Sequence, residues 1–397
     1  MKIKILDLGQ QPIANNFLQS NEYVDNEYQF HLTVTFDNDT KLVSLGEFVP
    51  PDMMFNDSYV YHSSLSSTMR NHFKNAAELL KMEFSPHSIL EIGSNDGVFV
   101  RHFNKEITVA VEPCGNFANL TNELGYKTYK NFWDKQLAHK IVEEHGKQDL
   151  VYSANCMCHI QNLDEAFFSI SKVLSREGVF VFEDPSLLKM IERGSYDQIY
   201  DEHAHIFSVT ALQNLLGVYS LEIFKVEDIQ VHGGSSRIFA GPVGTREVDP
   251  SVHEHLRKEH EAGLDTLAAY QNFSSRVQQS KKQLVGLLTE LKRKGYKIVS
   301  YGATSKSTTV FNYCEIGTNL IDYIVDITPS KQGKLSPGMH IPVVSPELGF
   351  DQTVDYAFLG AWNYEKEICA KEKQFLEVGR FITHVPYVRI LEGEGHG

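Results

Sequence analysis

Beyond residue 70 the chain carries a succession of short apolar runs: Ser88-Ile89-Leu90, Val109-Ala110-Val111, Asp149-Leu150-Val151-Tyr152 and Gly178-Val179-Phe180-Val181-Phe182. Each has the length of a buried strand, and helical segments lie between them. Strand and helix alternating at such intervals predict an α/β fold with a parallel, doubly wound sheet. A second unit of the same kind follows. Tyr296–Tyr301 reads as a strand, Gly302–Ser307 as a turn into a helix, and Ile321–Asp326 as the next strand. Ahead of both, Phe30–Phe36 alternates apolar and polar like an antiparallel strand, and Asp37-Asn38-Asp39 supplies a turn. Residues 1 to about 60 therefore look like a small separate β-rich unit. A helical stretch starting near Asp249-Pro250-Ser251 links the two α/β units, with leucines at helical spacing up to Leu291. It ends well, on Lys292, Arg293 and Lys294 before Gly295.

The first apolar run leads into Glu91-Ile92-Gly93-Ser94-Asn95-Asp96-Gly97, which reads as a glycine turn opening a helix at Val98-Phe99-Val100. An α/β sheet places adenosine-type ligands at the carboxyl end of such a strand. Gly93 and Gly97 let the backbone come close. Glu91 and Asp96 would repel a diphosphate but suit a cationic ligand with hydroxyls and an amino acid tail, as in S-adenosylmethionine. The second strand ends in Glu112-Pro113, an acid where such folds hold ribose hydroxyls, and the third ends in Asn155. A dinucleotide site competes with this reading, but the G-x-G-x-x-G turn is absent.

Composition narrows the class. The chain of 397 residues is long enough for two or three domains, and a formal net charge of −14 argues against nucleic acid as a partner. No secretory leader and no apolar run of membrane-spanning length is visible, and five cysteines read as reduced cytosolic thiols. A cytoplasmic protein, monomeric or weakly dimeric, is the expectation. Cys156-Met157-Cys158 alone is too small a ligand set for zinc.

Candidate chemistry concentrates in Tyr196–Ser208, where Tyr196, Asp197, Tyr200, Asp201, Glu202 and His203 crowd into eight residues. Histidine moves protons near neutral pH and a carboxylate can tune it, although a solvated turn with one buried histidine competes. His159, a lone histidine after an apolar strand, reads more often as core than as catalyst. Tyr59, Tyr61, Ser63 and Ser64 read as either a polar lid or a hydroxyl-rich linker. Tyr301 and the turn holding Thr304, Ser305, Lys306 and Ser307 make an anion site or a tight packing turn, and Asn363 lies at a possible pocket edge. His232 and Gly233 interrupt a strand.

Taken together, Leu6–Pro12, Val49-Pro50-Pro51, Tyr61–Ser64, Glu91–Gly97, Phe182–Pro185, Tyr200–His203, His232-Gly233-Gly234, Tyr301–Ser307 and Thr328–Gln332 resemble, in the same order, the nucleotide-sugar C-methyltransferases. These act on nucleotide-linked 4-keto-6-deoxyhexoses in deoxysugar biosynthesis. The resemblance implies a class I (Rossmann-like) methyltransferase sheet, a second C-terminal Rossmann-like domain and a small N-terminal unit. Expected boundaries are 1–60, 61–245 for S-adenosylmethionine and 246–397 for the nucleotide sugar. It also implies that His203 is the base forming an enolate for methylation at C3, with Glu202 orienting it. Tyr200 and His159 would bond the oxyanion and Tyr61 would close over the sugar. Alternatives are an O- or N-methyltransferase and a noncatalytic nucleotide-binding homologue. One departure is plain. The family's N-terminal unit usually binds zinc through two Cys-x-x-Cys pairs, whereas this chain reads Phe36-Asp37-Asn38-Asp39 at the second pair. No zinc is expected, so residues 1–60 must hold by their own core or by docking onto the rest.

Overall fold

A computed structural model describes residues 1–19 and 26–391; positions 20–25 and 392–397 of the expected domains lie outside the described residues. Three sheets organise the chain. The central one has seven strands in the order Leu221–Ile229, Ser235–Pro242, Leu174–Pro185, Gln148–Ala154, Ile89–Ile92, Thr108–Val111 and Lys127–Tyr129. Its pairings are parallel except at Ser235–Pro242, which runs antiparallel to both neighbours. The strands Ile89–Ile92 and Thr108–Val111 are buried throughout, as a sheet covered on both faces requires.

The C-terminal sheet orders Val343–Val344, Ile324–Val325, Ile298–Tyr301, Tyr356–Leu359, Arg380–Thr383 and Arg389–Ile390, parallel except at the last pair. Only Ile324–Val325 of the expected strand 321–326 joins the ladder. The linking helix is also interrupted. Pro250–Glu261 and Leu267–Arg293 are separate helices, broken where Gly263 takes a positive φ of +73°.

The third sheet pairs Lys2–Pro12, Gln29–Asp37 and Val43–Leu45, and a fourth strand, His205–Ile206, arrives from the segment between the central-sheet strands Leu174–Pro185 and Leu221–Ile229. The alternation read in Phe30–Phe36 is real, with Phe30, Leu32, Val34 and Phe36 all buried. Their core is shared. Leu6, Leu32 and Phe36 belong to one apolar cluster with Tyr270, Leu284, Phe311 and Ile382 of the C-terminal region. Docking therefore supplies what a small isolated unit could not. Among the described residues no helix is long and apolar enough to cross a membrane.

One local expectation fails. Behind the glycine turn the chain makes turns and a single 3₁₀ turn at Val100–His102, not a regular helix from Val98. Val98, Phe99 and Val100 are all buried, and three consecutive inward residues cannot share one helix face. Phe99 stacks on Tyr152 at 3.8 Å, while Arg101 donates to the carbonyls of Asp96 and Gly97.

Candidate active site

The carboxyl ends of the two parallel sheets bound one cavity of about 500 Å³. Of the residues expected from sequence it gathers Glu91, Gly93, Asn95, Glu112, Pro113 and Asn155 on the side of the central sheet. Thr304, Ser305, Lys306 and Asn363 line the C-terminal side. Tyr59, Tyr61, Ser63, His159, Tyr200, Glu202, His203 and His232 stand between.

The acid edge is buried. Glu91 lies at the end of Ile89–Ile92, its Oε2 has no hydrogen-bond partner, and burial holds its carboxyl well above the usual range. The Glu112 carboxylate accepts from the backbone N–H of Asn95 at 2.7 Å and of Cys114 at 2.8 Å. Gly93 has φ +77°, and a Cβ there would meet Cys156 Sγ at 2.6 Å, so both conformation and space demand glycine. Asp96 is not among the residues that line the cavity. Its Oδ2 accepts from Ser64 N–H at 3.1 Å, while Asn95 accepts from Ser63 N–H at 2.9 Å and donates to the Tyr61 carbonyl at 3.0 Å. Residues 61–64 thus lie fastened against the glycine turn.

In the middle, His203 is nearly buried. Its Nδ1 is 2.6 Å from the Gln198 carbonyl, which can only accept, so the proton sits on Nδ1. Nε2 then accepts from Tyr200 Oη at 2.9 Å. Rings stack in a column, Phe55 on His159 on His203, each step 5.3 Å. Burial, with His159 and Lys306 nearby, holds the His203 imidazole well below its usual pKa, and burial takes His159 down to about 4. Both are neutral at pH 7. Glu202 does not touch His203. It accepts from Asn15 Nδ2 at 2.7 Å and from Tyr59 Oη at 3.0 Å, so the Gln198 carbonyl and Tyr200 are what orient the imidazole. Cys158, His159 and His203 come within 4.8 Å of one another, but both His203 nitrogens are engaged, which does not suit a metal.

The basic edge starts at the helix Ser305–Cys314. Thr304 and Ser307 spend their hydroxyls on a reciprocal cap, and Thr304 also donates to the Gly360 carbonyl. Ser305 and Lys306 are left facing the cavity. The Lys306 ammonium has no hydrogen bond and no ion pair within 4.0 Å among the described residues, and burial lowers its pKa. Lys331 lines the same edge and donates to the Ala303 carbonyl at 2.7 Å.

Some expected residues stay out of the cavity. Gly97, Ser64 and Asp96 build the turn beneath it. Tyr301 turns into the C-terminal domain, donating to Glu372 at 2.6 Å among Phe350 and Phe381. Ser307 serves the cap, and Gly233 makes room for Trp362, whose ring carbon would lie 2.5 Å from a Cβ there. Among the contributors that went unread are Asn15, Gln198 and Lys331. Lys331 sits in Thr328–Gln332, which the motif pattern had marked; Gln198 acts through its carbonyl, which no side-chain pattern reveals.

With this geometry in view, the relatives are informative. Residues 65–226 match the family model of the Methyltransferase domain, and residues 230–386 that of the C-methyltransferase C-terminal domain. Over 99% of this chain and 95% of its own length, C-methyltransferase NovU of Streptomyces niveus is 31% identical. The chain belongs to the C-methyltransferases. A solved S-adenosylmethionine-dependent methyltransferase from Clostridium acetobutylicum aligns over 44% of this chain and 92% of its own, at 14% identity and a TM-score of 0.35. An O-methyltransferase of a Brevibacillus brevis multienzyme, in complex with S-adenosyl-L-homocysteine, covers 52% and 84% at 15% identity and TM-score 0.34. Residues 1–55 match the family described as "Putative zinc binding domain". In this chain that stretch holds no cysteine and one histidine, His31, whose Nε2 bonds Asp7 at 2.7 Å. Such a donor set does not fit a structural zinc.

Proposed function

We propose that this C-methyltransferase uses S-adenosylmethionine to methylate C3 of a nucleotide-linked 4-keto-6-deoxy sugar. The observation that carries the reading is the order of groups around one cavity. Buried acids lie at one sheet's edge, lysines at the other's, and the neutral His203–Tyr200 pair lies between. S-adenosylmethionine, when bound, supplies an electrophilic methyl on a positively charged sulfur. The acid edge fits that ligand's hydrogen-bonding groups: Glu112 would accept from ribose hydroxyls, and Glu91, whose Oε2 has no partner among the described residues, would complete the cradle with Gly93, Asn95, Pro113 and Asn155. On the facing edge Ser305, Lys306 and Lys331 would hold the diphosphate at a helix N-terminus.

The chain's own groups account for the proton chemistry. A ketone at C4 acidifies the C3 proton. His203 Nε2 takes that proton once Tyr200 Oη turns from it, giving an imidazolium whose Nδ1–H remains on the Gln198 carbonyl. The electron pair left on C3 delocalises onto the C4 oxygen. Tyr200, and His159 through its unpartnered Nε2, are placed to donate to that oxygen. Tyr61 and its neighbours, fastened on Asn95 and Asp96, would exclude water.

The test is turnover with S-adenosylmethionine and a panel of 4-keto-6-deoxy sugar nucleotides, read by mass spectrometry and NMR. Loss of the C3 hydrogen with methyl on C3 is expected, and D₂O should exchange deuterium into unreacted substrate. A methyl on oxygen or nitrogen, or no product with any sugar of the panel, refutes the reading.

A further inference from the structure

Asn15 belongs to the N-terminal unit, yet it lines the cavity and grips a residue of the catalytic loop. The loop Ile13–Asn16 is itself clamped between the two walls. Ala14 N–H donates to Asp201 Oδ1 at 2.9 Å, and the Ala14 carbonyl accepts from Thr308 Oγ1 at 3.1 Å, on the helix that carries Lys306. From this strut Asn15 Nδ2 holds one Glu202 oxygen at 2.7 Å, and Tyr59 holds the other at 3.0 Å.

Glu202 needs such restraint. It is a nearly buried acid lining the same cavity as Lys306 and Lys331; burial raises its pKa, while Asn15, Tyr59 and both lysines favour the charged form. Yet neither lysine forms an ion pair within 4.0 Å among the described residues. In a low-dielectric site the attraction between opposite charges is strong, and a buried ammonium without a partner gains by meeting a carboxylate. Two neutral donors, arriving from separate segments, oppose that closure.

We propose that Asn15 is a positioning residue that keeps Glu202 off Lys306 and Lys331, reserving both ammonium groups for the anionic part of the substrate. The N-terminal unit, which matches a family described as a putative zinc binding domain, thereby has a role in this chain that requires no metal. When Asn15 is truncated, Glu202 swings toward the lysines and neutralises them. This inference rests on the reading of Lys306 and Lys331 as the anion site.

The test is a double-mutant cycle on binding of thymidine diphosphate and uridine diphosphate, by calorimetry on the full chain. Asn15→Ala should weaken the diphosphate that binds by about 10-fold, a coupling of the size found between interacting neighbours. S-adenosyl-L-homocysteine affinity and melting temperature should hold. In a Glu202→Gln background the same Asn15→Ala change should have no effect, because no charge remains to compete. Equal weakening in both backgrounds would mean that Asn15 touches the ligand directly, and would overturn the proposal, as would unchanged binding in Asn15→Ala. Lys306→Ala is the control for the underlying reading. If it leaves diphosphate binding intact, the anion site is wrong; if it weakens binding while Asn15→Ala does not, only the role of Asn15 falls. Asn15→Gln, which can still reach a carboxylate, should restore part of the affinity.

Discussion

The two α/β units present the same device, a parallel strand running into a glycine turn, and use it oppositely. After Ile89–Ile92 the turn is lined with acids and no regular helix follows. After Ile298–Tyr301 the turn is lined with hydroxyls and a lysine, and a well-capped helix of ten residues follows. The first leaves no aligned helix N–H groups aimed at the cavity and puts Glu91 there, its Oε2 without a partner among the described residues; the second brings a helix N-terminus and Lys306. On the function proposed above, the shared topology would place each ligand at the carboxyl end of a strand, while the residues at the turn would distinguish the cofactor from the anion.

Breaking the comparison at its centre should have the largest effect. His203→Asn removes the group between the edges, so kcat should fall about 10² to 10⁴-fold with both ligand affinities kept. In the intact protein the acid limb of the pH–rate profile should lie below the ordinary histidine value of about 6.5, because burial favours the neutral imidazole. Loss of activity at pH 7 on mild acidification to pH 6.5 would contradict this. Next, Glu112→Ala should weaken S-adenosylmethionine about 10 to 100-fold, as expected for lost hydrogen bonds to a charged group, and leave the sugar nucleotide's KM alone. Lys306→Ala should do the converse, raising that KM about 10-fold with the cofactor's Kd unchanged. If either variant moves both affinities equally, the two-edged division fails.

The smallest effect concerns Asp184, buried at the end of the strand Leu174–Pro185, whose carboxyl burial pushes up to about 7. Its folded pKa exceeds the unfolded value, so the native state binds the extra proton and stability falls as pH rises from about 4 through 7. Asp184→Asn should raise the melting temperature by about 1–3 °C at pH 8 and do nothing at pH 4. Thermal melts at the two pH values check the sign.

Legibility followed the range of the interactions. The four apolar strands Ile89–Ile92, Thr108–Val111, Gln148–Ala154 and Leu174–Pro185, the alternation in Phe30–Phe36 and the turn at Thr304–Ser307 are local patterns that could be read residue by residue, whereas Lys127–Tyr129 and Leu221–Ile229 were not. The missing helix at Val98 and the break at Gly263 were not legible. They depend on Phe99 finding Tyr152 and on a single backbone conformation inside a continuous leucine pattern. In the site, Tyr200, Glu202 and His203 are adjacent in the chain and stood out by density. Asn15, 187 residues from Glu202, did not, and Gln198 holds His203 through a backbone carbonyl. The misreading of Glu202 as the group orienting His203 has the same origin: neighbours in sequence need not face each other.

By itself, then, the sequence determined an α/β protein with two strand-to-glycine turns, one acidic and one basic, a dense titratable loop, and an N-terminal stretch without zinc thiolates. These follow from composition and periodicity, which act over a few residues. Only the tertiary structure decided that both turns open on one cavity and that His203 is neutral, with its proton fixed on Nδ1. It also decided that the N-terminal unit, docked through a shared apolar core, reaches into that cavity with Asn15. Burial and charge at a point in space are sums over segments hundreds of residues apart, and no local pattern contains them.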